Sequence, residues 1–403
     1  MQTRFDAVII GAGPAGSAAA ILLARAGLAV ALVEKQGFPR RKVCGECIAA
    51  SNLPLLDALG IGAAFEANAG PELRQVALMR AQTCIVADLP PAPHQRYRWG
   101  RALGRATLDA LLLEQARSSG AHVLQPWRLS AIEDAGDVQR CSLQAVDSGA
   151  RIALDCPLVI AANGSWEPLP ATRGALAVVR KASDLFAFKA NFRTTSLDPG
   201  LLPVLSFDGG YGGMVVADDG VTTVACCIRR DRLRAARRAA PGRCAGDVVE
   251  ELLVRQCAGV RRALHGAARI GPWIAAGPLD TGVRIGSDDT VLRIGNAAGE
   301  AHPILGEGLS MALQSAFILS THVLAAPSPA QLPRRVSRRE IGARYAAQWR
   351  RAFAPRILLA ATFAHAAMGT ASGPALSTLV RAWPRLLTYG ARWGGKVHNA
   401  AAR

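Results

Sequence analysis

Three glycines and one acid carry the clearest chemistry in this chain. Gly11, Gly13 and Gly16 stand in G-x-G-x-x-G spacing with Pro14 and Ala15 inside it, and Glu34 follows 18 residues after Gly16. The first glycine allows a tight turn, the second lets the backbone approach a pyrophosphate, and the third lets a helix pack closely on a strand. Free N–H groups at a helix start attract phosphate oxygens. An acid at about 20 residues further on is placed to accept hydrogen bonds from a ribose 2′-hydroxyl. These residue types in this order point to a bound dinucleotide. The acid suits an unphosphorylated adenosine ribose, as in NAD or FAD, and argues against NADP. The glycines of Gly209-Gly210-Tyr211-Gly212-Gly213 have the wrong spacing for a second motif, so one dinucleotide unit is expected.

Such a site needs a strand, a turn, a helix and a second strand. Residues 6–10 are mostly apolar and β-branched, as in a buried strand. An alanine-rich helix is expected after Gly13, and a second strand at 29–33 ends at Glu34. Residues 35–48 read as a loop, followed by a helix capped by Ser51 or Asn52. Residues 107–120 read as a helix, 122–124 as a strand, 143–146 with 151–154 as a hairpin, and 158–162 as an apolar strand. Beyond about residue 173 the pattern changes to short strands at 186–192, 202–207, 211–216 and 221–228, separated by glycine and aspartate turns. A strand at 291–295 leads into a long helix from about 307 to 324, and the proline- and arginine-rich residues 327–339 read as a connector to C-terminal helices. There is no internal repeat.

At 403 residues, half of them apolar and 19% charged, the chain can bury a sizeable core in two domains or subdomains. No signal peptide is visible, and nine scattered cysteines suit reduced thiols in a cytoplasmic protein. The net charge of +17 is carried mostly by arginine, much of it in runs at 229–243 and 334–356. A solvated basic surface and attraction to anionic lipid heads both fit these runs. No motif supports nucleic-acid binding. Residues 357–368 are apolar but fall short of the ~20 needed to span a bilayer. Arg381, Trp383, Arg385, Tyr389, Arg392, Trp393 and Lys396 then mix aromatic and basic residues, as interfacial helices do. A helical layer over the core and peripheral membrane association are compatible readings, with no transmembrane helix expected.

With these positions in hand, residues 5–325 or so resemble the FAD-dependent oxidoreductase superfamily of aromatic hydroxylases (monooxygenases), geranylgeranyl reductases and flavin-dependent halogenases. Beyond the glycine motif with Glu34 and its neighbour Lys35, Arg105 stands ahead of a helix as in the family, where it contacts FAD. Asn163-Gly164 lies at the place of the family's Asp-Gly motif. Gly295-Asn296-Ala297-Ala298, Pro303 and Gly306-Glu307-Gly308-Leu309-Ser310 are similar to its Gly-Asp…Pro…Gly motif, which lines the ribityl chain and flavin. Glycine at 306 and 308 lets the backbone lie against a flat ring, and the helix that follows aims N–H groups at its pyrimidine edge. Asn163 and Asn296 stand where the family usually has aspartate. They keep the hydrogen-bonding shape without the charge, which separates the chain from hydroxylase-type handling of NAD(P)H.

The resemblance implies an α/β fold: a Rossmann-like FAD-binding domain (1–172 and 275–326), an inserted mostly antiparallel β substrate domain (173–274) and a C-terminal helical region (327–403). Cys44-Gly45-Glu46-Cys47 could be a redox disulfide or half of a zinc site, but no second cysteine pair completes a zinc site. The segment resembles the Lys-x-Cys-Gly-Glu stretch that lies near the flavin in the reductase branch. His302 is a candidate proton donor or substrate-positioning group, or equally a backbone-bonded histidine in a tight loop. The reaction expected is hydroxylation of a hydrophobic aromatic or polyketide/phenolic-lipid substrate through a flavin hydroperoxide, with FAD as cofactor and NAD(P)H as electron donor. Reduction of an isoprenoid double bond is the alternative. Residues 210–216 hold no tryptophan, unlike the Trp-x-Trp-x-Ile-Pro signature of the halogenases.

Overall fold

The computed structural model describes residues 3–165, 169, 180–286, 290–325 and 335–392. It is an α/β fold with a parallel dinucleotide-binding sheet, a larger mostly antiparallel sheet and C-terminal helices. Strand β1 (Ala7–Ile10), helix α1 (Pro14–Arg25) and strand β2 (Val30–Val33) form the first unit. The parallel sheet runs Leu292–Arg293, Leu158–Ala161, β1, β2, His122–Leu124. Both faces are covered, which is why these strands read as unbroken apolar runs. Ala7, Ile9, Val30 and Leu32 pack with α1 and with helices Arg105–Ser118 and Gly308–Leu324. The alternate residues Val8, Ile10, Ala31 and Val33 pack on Cys141, Leu143, Leu154 and Cys156. Those belong to a three-stranded antiparallel meander, Trp127–Ala135, Val138–Ala145 and Arg151–Cys156, whose last two strands contain the expected hairpin.

Two glycines are fixed by close approach. Gly11 has φ of +103°, and a Cβ there would lie 2.5 Å from the Ala162 carbonyl oxygen. A Cβ on Gly16 would lie 1.9 Å from the Gly11 carbonyl oxygen, so α1 can sit on β1 only with glycine at that position.

The second sheet has seven strands in the order Ala268–Ala276, Leu185–Arg193, Thr222–Arg229, Gly210–Val216, Leu201–Phe207, Gln75–Arg80, Thr83–Asp88. All neighbours are antiparallel except Leu201–Phe207 with Gln75–Arg80. The four strands expected beyond residue 173 are present. Three others were not expected, and two of these lie well before that point in the chain. Gln75–Arg80 is buried along nearly its whole length, and a short apolar run of that kind has no period that separates strand from helix. The anticipated junction at 172/173 falls outside the described residues. The basic run at 229–243 forms helix Arg230–Ala239, and helix Ala245–Gln256 covers one face of the sheet through Val249, Leu252 and Leu253.

The C-terminal region begins with one helix of 34 residues, Arg335–Met368. Residues 335–339, expected as connector, are therefore helical, and 327–334 lie outside the described residues. Tyr345, Trp349 and Phe353 are buried against the core, and Ile357, Ala360, Ala364 and Ala367 continue the stripe at spacings of three and four. The apolar segment at 357–368 is thus the end of a packed helix. Helix Ser372–Ala382 follows after a 104° bend, then Arg385–Ala391. Among the described residues no single helix is long and apolar enough to cross a membrane. Trp393 and Lys396 lie outside the described residues.

Candidate functional site

One cavity of about 970 Å³ lies between the two sheets. Its near end is built by the turn after β1, where Gly11, Gly13, Pro14 and Ala15 line it, and by Glu34 and Lys35 at the end of β2. Parallel pairing of β1 with β2 brings the turn and the acid together. The Ala12 N–H donates to Glu34 Oε2 at 3.0 Å, so the carboxylate is held against the turn, 3% exposed. Its Oε1 accepts from the Gln36 N–H at 2.9 Å and from Arg40 at 3.1 Å.

The positive charge that a diphosphate needs is supplied over this turn. A Cβ on Gly13 would stand 3.9 Å from an Arg105 nitrogen and 4.0 Å from an Arg40 nitrogen, with nothing closer. Arg105 opens the helix Arg105–Ser118, is fixed by paired bonds of 2.7 and 2.8 Å to Asp109, and donates its backbone N–H to Glu46 at 2.7 Å. Lys42 joins Arg40 and Arg105 at the cavity wall. Burial, then the charges of Arg40 and Arg105, push its ammonium below its ordinary pKa.

Further along the wall come Cys44, Gly45, Asn163, Gly295, Asn296, Pro303, Gly306, Gly308 and Leu309. A Cβ on Gly45, Gly164 or Gly308 would meet nothing within 4 Å, so the backbone is bare toward the cavity at these points. Gly295, at φ of +58°, receives its orientation from Ser315, whose Oγ accepts the Gly295 N–H at 2.8 Å. Asn296 donates to Ser165 Oγ at 2.9 Å and to Glu300 at 3.2 Å. The N-terminus of helix Gly308–Leu324 faces the same space. These features fit an FAD: a turn open to pyrophosphate with three cations near it, an acid at the end of β2, and bare backbone where a flat ring can lie. Cys44 and Cys47 are both free thiols lining this cavity.

Three expected site residues stand off the lining. Gly16 is sealed behind Gly11. Ser310 is fully buried and accepts from Asn52 Nδ2 at 2.9 Å, holding the helix start to residues 50–52. His302 is buried and reaches the cavity only through Tyr211, whose hydroxyl is 3.1 Å from Nδ1; Thr281 Oγ1 is 3.3 Å from Nε2. Burial and then the nearby His365 lower the His302 pKa to about 4, so the ring is neutral near pH 7.

Sequence reasoning missed several wall residues. Glu46, 2% exposed and at φ of +59°, is paired with Lys189 and accepts from Thr223, both on the seven-stranded sheet. Glu300 lies beside Asn296, and burial above all raises its carboxyl from 4.5 to about 7, against the opposing pull of Arg284. Tyr211 keeps its proton, its pKa raised well above the ordinary value by burial and then by Cys227. Neither Lys189 nor Thr223 sits in a recognisable motif, and only strand pairing reveals them. Beyond the cradle the cavity runs along Leu78, Val204 and Met214 of the large sheet to Leu376, Val380 and Leu387 of the C-terminal helices, an apolar chamber.

Residues 4–331 match the FAD binding domain family. The chain is similar to the menaquinone reductase of Mycolicibacterium smegmatis, 27% identical over 330 residues that cover 78% of this chain and 75% of that protein. In fold it is similar to the myxobacterial chondrochloren halogenase CndH, with TM-score 0.74 and 18% identity over 96% of this chain and 90% of that one. It is equally similar to a geranylgeranyl bacteriochlorophyll reductase-like protein from Thermoplasma acidophilum, with TM-score 0.74 and 17% identity over 94% and 91%. The cradle and the match over most of the chain agree, and the protein belongs to the FAD binding domain family of FAD-dependent oxidoreductases.

Proposed function

We propose that this enzyme reduces a carbon–carbon double bond in a hydrophobic, isoprenoid-type lipid. The observation that carries the reading is the cavity, in which the dinucleotide cradle continues into an apolar chamber between the large sheet and the C-terminal helices. Such a chamber takes a long hydrocarbon tail, and burial of each CH₂ contributes ~0.8 kcal/mol. The Lys42-x-Cys44-Gly45-Glu46 loop on the wall and the Gly306-Glu307-Gly308 turn support reduction, as does similarity to menaquinone reductase over most of both chains.

Reduced FAD, when bound, supplies a hydride to one alkene carbon. The protein's own part is to exclude water with the apolar wall, to place the alkene, and to hold a proton for the other carbon. Tyr211 Oη is the proposed proton source, and His302 fixes it from behind. NAD(P)H is the proposed source of electrons. Hydroxylation of an aromatic or polyketide-type ring is the second reading, because a dry pocket with a neutral tyrosine on its wall also suits a phenol.

The test is anaerobic: chemically reduced holoenzyme is mixed with menaquinone bearing an unsaturated isoprenoid tail. Return of the oxidised flavin spectrum, with a product heavier by two hydrogens in the tail, is expected. A product that forms only in air and gains an oxygen atom would establish the second reading instead.

A further inference from the structure

The cavity reaches the surface at two ends. At the cradle, Lys35, Gln36, Gly45 and Gly308 are both exposed and part of the lining. At the far end, the residues that are both exposed and part of the lining are Leu379, Leu386 and Tyr389, on the two short helices that follow the 104° bend. Trp383, in the turn between those helices, is 62% exposed and faces away from the lining. A soluble surface has no use for a tryptophan, a tyrosine and two leucines side by side around an opening.

The charge around this opening has one sign. After Glu340 the chain carries nine arginines and lysines and not one aspartate or glutamate. Arg381 and Arg385 flank Trp383 and are exposed, and Arg381 donates to Thr83 Oγ1 at 2.6 Å, which pins the first helix to the edge strand Thr83–Asp88. The second is pinned by Thr388, which donates to the Asp88 carbonyl at 2.8 Å. The opening is therefore a fixed rim of aromatic and aliphatic side chains among arginines. Aromatic side chains of this kind settle at the headgroup level of a bilayer, and each nearby arginine adds attraction to an anionic leaflet.

We propose that this helical rim is a docking surface for an anionic lipid bilayer, and that a hydrophobic substrate passes from the bilayer into the cavity between Leu379, Leu386 and Tyr389 without crossing water. The Arg230–Ala239 helix, although more basic, exposes no comparable apolar side chain and is not part of the surface. The inference concerns entry and holds for either reaction above.

The test is co-sedimentation of FAD-loaded full-length protein with vesicles of phosphatidylcholine alone or mixed with phosphatidylglycerol. Binding only to the anionic vesicles is expected. Arg385→Gln should weaken it roughly fivefold, Trp383→Ser should weaken it further, and both variants should retain their flavin. Arg234→Gln with Arg237→Gln, on the other basic helix, should leave binding within twofold of the unaltered protein. The proposal is overturned if the protein stays in the supernatant with every vesicle. It is also overturned if the Arg234 and Arg237 changes abolish binding while the Trp383 and Arg385 changes do not, or if the protein sediments as a dimer that Trp383→Ser splits.

Discussion

Tyr211 and His302 stand hydroxyl to ring nitrogen, 3.1 Å apart, and burial keeps both neutral: the histidine is lowered to about 4 and the phenol is raised. A neutral pair can pass a proton without creating charge in an apolar chamber. Tyr211→Phe removes only the hydroxyl and should lower turnover roughly 10²-fold while flavin content stays the same; anaerobic flavin reoxidation by substrate measures it. Glu300 carries a different prediction. Its carboxyl titrates at about 7 in the folded protein against 4.5 when free. The folded state therefore binds the extra proton between those values, and stability is present below pH 4.5 and is lost as pH rises through about 7. The loss is on the order of 3 kcal/mol. Urea denaturation of flavin-free protein across that range should show the decline, and Glu300→Gln should flatten it.

At the scale of elements, the loop carrying Cys44 and Cys47 is fastened to the large sheet by one buried carboxylate. Glu46 pairs with Lys189, bonds Thr223 and also takes the Arg105 N–H that begins a helix. Three elements meet there, one from each side of the cavity and one from its floor. Lys189→Met would leave Glu46 ionised and buried without its cation, a change that costs ~3–5 kcal/mol. The double variant Lys189→Met with Glu46→Gln should lose less than the sum of the two single losses, as a urea double-mutant cycle would show. The C-terminal helix is held differently, by shape: Trp349 is fully buried between Tyr345 and Phe353, and Trp349→Ala should cost ~3–5 kcal/mol by the same measurement.

For the whole molecule, the cradle belongs to the folded state alone, since Gly11, Glu34, Arg105, Asn163 and Gly295 come from five separate places in the chain. FAD at a hundredfold over its dissociation constant should stabilise the flavin-free protein by ~2.7 kcal/mol, read as a rise in the thermal midpoint. Gly13→Leu puts a side chain where the backbone is open beneath Arg105 and Arg40. That variant should fold, show no flavin absorbance and give no rise.

The dinucleotide site was legible in the sequence because its physics is local. One turn, one helix start and one acid, held within residues 11–34, carry their own backbone and charge requirements, and the parallel strands are apolar because both faces are covered. The four strands at 185–229 were legible as well, from β-branched runs between glycine turns. The strands at 75–88 were not, since nothing in a six-residue apolar run says which sheet it will join. Tertiary structure alone decided that His302 acts through Tyr211, and that Lys189 and Thr223 meet Glu46. It also put the C-terminal helices, separated from the glycine motif by more than 300 residues of chain, over the far end of the same cavity. Those contacts depend on where whole sheets lie against each other, and burial, which sets the protonation of Glu300, Tyr211 and His302, exists only after the sheets have packed.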